Sequence, residues 1–316
     1  MNKKKLILIC GTGSIAKRHA KNLLTLGYKN LIFFRETKRT LPSWMNKFEV
    51  FYNYNKALKC KPFITFICNI TSKHLIYAIK SAKKKSHLFI EKPISNKIEG
   101  LNRLKKIIKK NNLKLMVGYM MRYHPLIIKI KNIIKKRELG NIFYIHSIWS
   151  EYLPDWHPGE NYKKSYAANY KLGGGSTLTL SHEVDLISWL FGEIKEITTL
   201  KSYKSKLNIK SEFSTNHQLK LNKDIVAQIH LDYMQKPPER KMEVVGDKKK
   251  LLFDYYKNKI IIINRNGKKR EIRVRKFKRN QMFVDEIKFF LRSISQNLKI
   301  YSDIDNSIMI IKRILK

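Results

Sequence analysis

Leu6-Ile7-Leu8-Ile9-Cys10-Gly11-Thr12-Gly13-Ser14-Ile15-Ala16 is the stretch that decides the fold. Its apolar half reads as a buried strand and the run Ile15 to Leu26 as a helix, so the glycine pair closes a strand and opens a helix. Gly11 permits the tight turn, and Gly13 lets backbone approach a pyrophosphate. The N–H groups and positive dipole end of the helix would then hold that pyrophosphate, with Thr12, Ser14 and Ile15 completing the turn. An ordinary strand-to-helix turn is the bland alternative. Glu91-Lys92-Pro93, at the end of the apolar run His87 to Ile90, weighs against it. The proline biases Lys92 to extended backbone, from which an ammonium can point into a crevice beside a dinucleotide.

Outward from this turn, strand-like runs recur at Leu31 to Phe34, Phe63 to Cys68, Leu88 to Ile90 and Leu115 to Tyr119. Between them lie the helical runs His74 to Lys83 and Lys97 to Lys110, the latter with Ile98, Leu101, Leu104, Ile107 and Ile108 at helical spacing. This alternation predicts an α/β domain with a doubly wound parallel sheet. After Tyr119 the rhythm changes to one helix, Pro125 to Lys136, and then to extended runs. These are Ile142 to Ser150, Ile194 to Ser202, Glu212 to Leu221, Ile225 to Tyr233, Lys241 to Gly246, Lys249 to Tyr255 and Lys259 to Asn264. Turn signals at Asn222-Lys223-Asp224 and from Asn264 to Gly267 argue for antiparallel neighbours. Helices are expected at Leu178 to Leu190 and Met282 to Ser295, with a short one near the C-terminus. The expectation is two domains, 1–121 and 122–316. The second is α+β with a large, mainly antiparallel sheet, its last helix able to pack back on the first, and the site lies between them.

Bulk composition narrows the classes. No apolar run reaches the roughly 18 residues of a membrane span, so no membrane partner is expected. Met1 to Lys5 before Leu6 to Cys10 mimics a signal peptide, but the apolar run breaks at Gly11 without a convincing cleavage site. Cys10, Cys60 and Cys68 are odd in number and lack paired metal-ligand spacing, so neither a metal site nor a disulfide framework is expected, and a cytoplasmic location suits them. The net charge of +42 is the one strong objection to a metabolic enzyme, because such basicity commonly marks nucleic-acid binding. Its lysines are spread along the chain, with short runs at Lys83 to Lys85, Lys248 to Lys250 and Lys268 to Arg270. Solvated faces are therefore the favoured reading, and nucleic acid is the remote one. A basic exterior would still attract anionic substrates such as nucleotide sugars.

The end of the second strand bears on the coenzyme. In Phe33-Phe34-Arg35-Glu36-Thr37-Lys38-Arg39, Arg35 and Arg39 suit a 2′-phosphate, whereas Glu36 suits a ribose hydroxyl. NAD and NADP both stay open, with the balance towards NADP. Trp156, with Asp155 and His157, sits in a loop between two prolines, where it either stacks on a sugar or plugs a domain edge. Lys171, beside Tyr170, either reaches substrate or is simply solvated.

Together these motifs resemble the Gfo/Idh/MocA family of NAD(P)-dependent oxidoreductases. The resemblance is carried by Gly11 to Ala16, by Glu91-Lys92-Pro93, by Gly118 to Pro125 as an interdomain crossover, and by Gly173-Gly174-Gly175 followed by Ser181-His182-Glu183-Val184-Asp185. Leu153 to Gly159 and Tyr162 to Tyr166 further resemble a subgroup associated with nucleotide-sugar and surface-glycan biosynthesis. The resemblance implies a Rossmann domain, hydride transfer between nicotinamide and a hydroxyl-bearing carbon of a sugar or nucleotide sugar, and a homo-oligomer formed through the second sheet. His182 is implied as the base and Lys92 as the cation on the same oxygen. Asp185 would bind a substrate hydroxyl or support the imidazole. Cys68, Asn69, Thr71 and His74 fall where relatives line the nicotinamide ribose, with Glu91 and Lys92 beside them. Arg122 is assigned to cofactor and Tyr123 to substrate, although Arg122 could equally pair with a carboxylate. Lys92 as a surface lysine and His182 as a satisfied core histidine remain the bland readings. Thr179 stands where many relatives have an aspartate. That departure keeps a second reading open, a nucleotide-binding sensor or scaffold that has lost turnover.

Overall fold

The structure is a computed structural model and describes residues 2–38, 40–274 and 276–315. The chain divides into two units, Met1–Tyr119 with Phe283–Ile311, and Met120–Met282 with Lys312–Lys316. In the first, β1 (Ile7–Cys10), α1 (Ser14–Thr25), β2 (Leu31–Phe34), β3 (Glu49–Phe51), α2 (Tyr54–Lys59), β4 (Ile64–Ile67), α3 (Thr71–Lys83), β5 (His87–Glu91), α4 (Leu101–Lys110) and β6 (Leu115–Gly118) follow in order. All strand pairs are parallel and the sheet order is β3-β2-β1-β4-β5-β6. Strands β1, β2, β4 and β6 are buried along their whole length, which is why they read as unbroken apolar runs rather than as alternating ones. The order of connection reverses between β1 and β4. Ligands of such sheets bind where those two strands end.

Two expectations shift here. The helix expected from Lys97 begins at Leu101, because Gly100 takes φ 88°, a left-handed turn that the preceding residues cannot enter as helix. Strand β3 and helix α2 gave no sequence signal, since β3 is three residues long and largely uncovered.

The second unit contains α5 (Pro125–Lys135), β7 (Ile142–Ser150), α6 (Ser176–Thr179), α7 (His182–Phe191), β8 (Ile194–Ser202), β9 (Ser214–Leu221), β10 (Val226–Asp232), β11 (Glu239–Gly246), β12 (Lys249–Asp254), β13 (Lys259–Asn264) and β14 (Lys269–Arg273). The chain ends in α8 (Asn280–Ser295) and α9 (Ile304–Ile314). The eight strands form one sheet, β14-β13-β12-β11-β7-β10-β9-β8, antiparallel except for the β7–β10 pair. Ile145, Ser147 and Trp149 of β7 are buried and alternate with partly open Tyr144, His146 and Ile148, the pattern of a sheet covered on one face. Helix α7 packs on β7 and β10. Strand β14 was not anticipated, because its sequence Lys269-Arg270-Glu271-Ile272-Arg273 is almost wholly charged; it pairs only with β13, at the edge.

The helix expected from Leu178 to Leu190 is broken. It ends at Thr179 and restarts at His182, with the Ser181 N–H donating to the Leu178 carbonyl and the Glu183 N–H to the Leu180 carbonyl, three residues back instead of four. Thr179 and His182 therefore stand on separate helices, whereas His182 and Asp185 share α7. Among the described residues no helix is long and apolar enough to cross a membrane, and no group of His, Cys, Asp or Glu is arranged to hold a metal ion.

Candidate active site

In the first unit, backbone builds the candidate site. The Gly11 N–H donates to the Phe34 carbonyl and the Cys68 N–H to the Cys10 carbonyl, both at 2.8 Å, so the ends of β1, β2 and β4 are tied together. Gly11 has φ 103°, and a Cβ there would lie 2.8 Å from the Cys68 carbonyl oxygen; only glycine fits. Gly13 caps α1 with no side-chain bond and no acidic residue in the first turn, and a Cβ at Gly13 would meet nothing within 4 Å. The start of α1 therefore has no side-chain cap and no carboxylate at its positive dipole end, and backbone at Gly13 can be approached closely, which fits a pyrophosphate. Thr12 and Ile15 are half-buried beside exposed Ser14.

At the tip of β2, Glu36 accepts a hydrogen bond from the Tyr77 hydroxyl and pairs with Lys73 at 3.5 Å. Burial, then the Glu36 contact, pushes the Tyr77 phenol up. Arg35 donates within its own loop, to the Thr40 carbonyl at 3.4 Å and to Thr37 Oγ1 at 3.5 Å. Arg39 lies outside the described residues. Across the switch point, burial pushes the Cys68 thiol well up, so Cys68 contributes backbone and shape rather than a thiolate. Thr71 opens α3 and is buried. His74 is buried with Nδ1 2.8 Å from the Pro93 carbonyl oxygen and Nε2 2.8 Å from that of Asn69. Its pKa is lowered by burial, against the opposing pull of the two carbonyls.

Lys92 is half-buried at the end of β5, and its peptide to Pro93 is cis. The side chain before it is anchored: His19 Nε2 donates to Glu91 Oε1 at 2.6 Å. His19 was not anticipated as a site residue. Its signal was available, since it lies on the same face of α1 as buried Ala16, Ala20 and Leu23.

In the second unit, His182 is buried at the first turn of α7, its ring 5.6 Å from that of Trp149. The Arg240 guanidinium lies 3.9 Å over the Trp149 ring and pairs with Glu183 through Nε at 2.7 Å and a terminal nitrogen at 2.5 Å. Glu183 also accepts from the Ser147 hydroxyl at 2.9 Å. One turn along, Asp185 accepts from Arg122 Nε at 2.8 Å and from a terminal nitrogen at 2.5 Å. Arg122 thus makes the carboxylate pair that the sequence left open. Burial pushes the Asp185 carboxyl up while Arg122 pulls it down. Lys131, 3.4 Å over the Trp189 ring, is brought down to about 8 by burial and by Arg122. Neither Trp149 nor the Glu183–Arg240 pair was legible in the sequence, because strand β11 supplies the arginine from far along the chain.

The other candidates are more dispersed. Thr179 faces buried Tyr233, whose phenol burial pushes well up while the Thr179 hydroxyl pulls it down. Trp156 packs edge-on against Tyr233 at 5.2 Å, and Asp155 pairs with Lys236 at 2.8 Å. Tyr123 is half-buried on the turn before α5. Its neighbour His124 caps α5, Nδ1 accepting from the Leu126 N–H at 3.2 Å. Lys171 is exposed on a surface depression with Tyr170, Tyr203 and Lys210.

Comparison with known proteins gives this arrangement its class. Residues 5–119 match the oxidoreductase family with an NAD-binding Rossmann fold, and residues 127–252 match the GFO/IDH/MocA C-terminal domain. The chain belongs to the Gfo/Idh/MocA oxidoreductase family. Among curated proteins it resembles the uncharacterized oxidoreductase YrbE of Bacillus subtilis, 25% identical over 62% of this chain. It spans 57% of that relative's length, and less of the next ones. Among solved structures, levoglucosan dehydrogenase in complex with NADH has a TM-score of 0.86 at 13% identity, covering 98% of this chain and 94% of that one. UDP-N-acetylglucosamine 3-dehydrogenase from Acidithiobacillus ferrooxidans has a TM-score of 0.79 at 18% identity, covering 98% and 95%. At such identities the likeness concerns the fold alone.

Proposed function

We propose that this protein moves a hydride between a nicotinamide coenzyme and a hydroxyl-bearing carbon of a sugar or nucleotide sugar. The single observation that carries the reading is the uncapped, carboxylate-free start of α1 behind Gly11, with Lys92 at the end of β5 in the same unit. The relatives named above act, by their names, on a sugar derivative and on a nucleotide sugar, which supports that substrate class. The first unit serves as the dinucleotide domain and the second as the substrate and oligomerisation domain, in a cytoplasmic protein.

The coenzyme, when bound, supplies the hydride acceptor or donor. The chain would hold it with the N–H groups of residues 13 to 15, with Glu36, and with the loop from Cys68 to Thr71. His182 takes the hydroxyl proton, and Lys92 stabilises negative charge on the same oxygen. Arg240 and Trp149 fix the wall against which the His182 ring lies. Asp185, held by Arg122, acts by orienting α7 rather than as a free carboxylate. Thr179 brings a hydroxyl where relatives bring charge, so at this position the chain can offer substrate a hydrogen bond but no charge. NAD rather than NADP is the coenzyme we favour, a reading supported by Arg35 donating within its own loop and by Glu36, whose carboxylate would repel a 2′-phosphate. Exposed Leu200 and Val226 on the sheet support assembly through that face.

The test is the reduced-nicotinamide absorbance of the purified chain with NAD or NADP and a panel of myo-inositol, levoglucosan and UDP-N-acetylglucosamine. Turnover with at least one panel member is expected, faster with NAD. Lys92→Ala and His182→Ala should each lower kcat by about 10²–10⁴-fold while NADH affinity persists. NADH binding without turnover on any sugar or nucleotide sugar would transfer the protein to the sensor reading.

A further inference from the structure

Two buried histidines grip the segment that carries Lys92, one on each side of it. His19 is fully buried among the rings of Phe66, Phe89 and Phe283, at 5.5, 5.1 and 6.2 Å between centroids, and its Nε2 donates to Glu91 Oε1 at 2.6 Å. The carboxylate fixes the ring's tautomer, and the aromatic cage fixes its orientation. His74, 1% exposed, meets the Pro93 carbonyl oxygen at 2.8 Å through Nδ1 and the Asn69 carbonyl oxygen at 2.8 Å through Nε2. A neutral imidazole has one N–H, so His74 donates to one of these two carbonyls; with the proton on Nδ1, Lys92 has its preceding neighbour tied by side chain and its following neighbour tied by backbone.

The origins of the two rings matter as much as the contacts. His19 projects from α1, the helix that starts at the glycine turn; His74 projects from α3, which follows the loop at the end of β4. A lysine stem has large rotamer freedom, so the reach of its ammonium depends on a fixed backbone origin. We infer that His19 and His74 form a clamp that positions Lys92 and ties it mechanically to both loops of the coenzyme cradle. This rests on the reading that Lys92 acts in the reaction. Neither histidine touches the reacting atoms in this scheme; both are positioning residues. His74, assigned to the coenzyme from the resemblance, has both ring nitrogens against backbone, so it shapes the cradle from behind.

The test uses the full chain and compares His19→Leu, His19→Gln, His74→Leu and Lys92→Ala by amide hydrogen exchange, NADH titration and turnover with the responsive panel member. Leucine fills the space without a donor, whereas glutamine retains one. His19→Leu and His74→Leu are expected to raise exchange of residues 87–96 by about tenfold or more, leaving residues 142–202 protected as in the parent. In turnover they should lower kcat about tenfold to a hundredfold, with NADH affinity within about threefold, and His19→Gln should restore most of the loss. Should His19→Leu fail to fold, Glu91→Leu, which removes the acceptor, takes its place under the same expectations. Unchanged exchange in 87–96, or a rise spread evenly over both units, would overturn the clamp. Full activity in Lys92→Ala would instead reject the role of Lys92, and the exchange result would still decide the clamp.

Discussion

The two units build their chemistry in opposite ways. In the first, the groups proposed to cradle the coenzyme are mostly backbone: the glycine turn, the uncapped start of α1, and the loop carbonyl of Asn69 beside His74. In the second, they are side chains locked in buried ion pairs, Arg122 with Asp185 and Arg240 with Glu183, flanking His182 on α7. A backbone cradle tolerates almost any surrounding sequence provided its glycines remain. A cradle of buried charge pairs is intolerant of losing one member, since the remaining charge is left in a low-dielectric interior. The first unit should therefore fail locally when altered and the second globally.

Arg122→Ala is the severest challenge to that contrast. It should cost about 3–5 kcal/mol in urea unfolding by stranding Asp185, while the paired replacement Arg122→Met with Asp185→Leu recovers most of the loss. Equal losses in the single and paired variants would show that the ion pair is not the unit of stability. Gly11→Ala comes next. Its strained φ should cost about 1–3 kcal/mol, and the Cβ facing the Cys68 carbonyl should weaken NADH binding by about tenfold or more, as read by fluorescence titration. Undiminished NADH affinity would contradict the tight turn.

His124 gives the smallest effect at neutral pH and the sharpest test of burial. Desolvation, with help from Arg240, lowers its pKa from the usual 6.5 to about 3. The unfolded chain therefore binds the proton first as pH falls. His124 contributes stability that is present above pH 6.5 and is lost progressively down towards pH 3. His124→Phe should flatten the acid limb of a stability profile across that window by up to about one proton's worth of slope, after allowance for the lost helix cap. A parallel acid limb in parent and variant would mean that His124 titrates normally.

The same contrast explains what is legible in the sequence. Parallel strands buried on both faces announce themselves as continuous apolar runs, so β1, β2, β4, β5 and β6 are readable, as are the glycine turn and Lys92. Elements that carry no such signature escape: β3 and α2, too short, and β14, too charged. The break between Thr179 and His182 is invisible because Leu178, Leu180, Val184 and Ile187 keep an apolar rhythm through it. In the candidate site, local motifs name the residues but cannot name their companions. Arg240 comes to Glu183 from 57 residues away and Glu91 to His19 from 72. Contacts over such separations are set by sheet order, which no single motif records.

The charged outermost strand has a consequence for the molecule in a crowded solution. A sheet edge offers unpaired amides and carbonyls to any passing extended peptide. At β14 an incoming strand would have to lay its side chains along Lys269, Arg270, Glu271 and Arg273, which favours repulsion from another copy of this basic protein over templated stacking. The residues that hide this element from recognition thus also serve as a guard against runaway polymerisation.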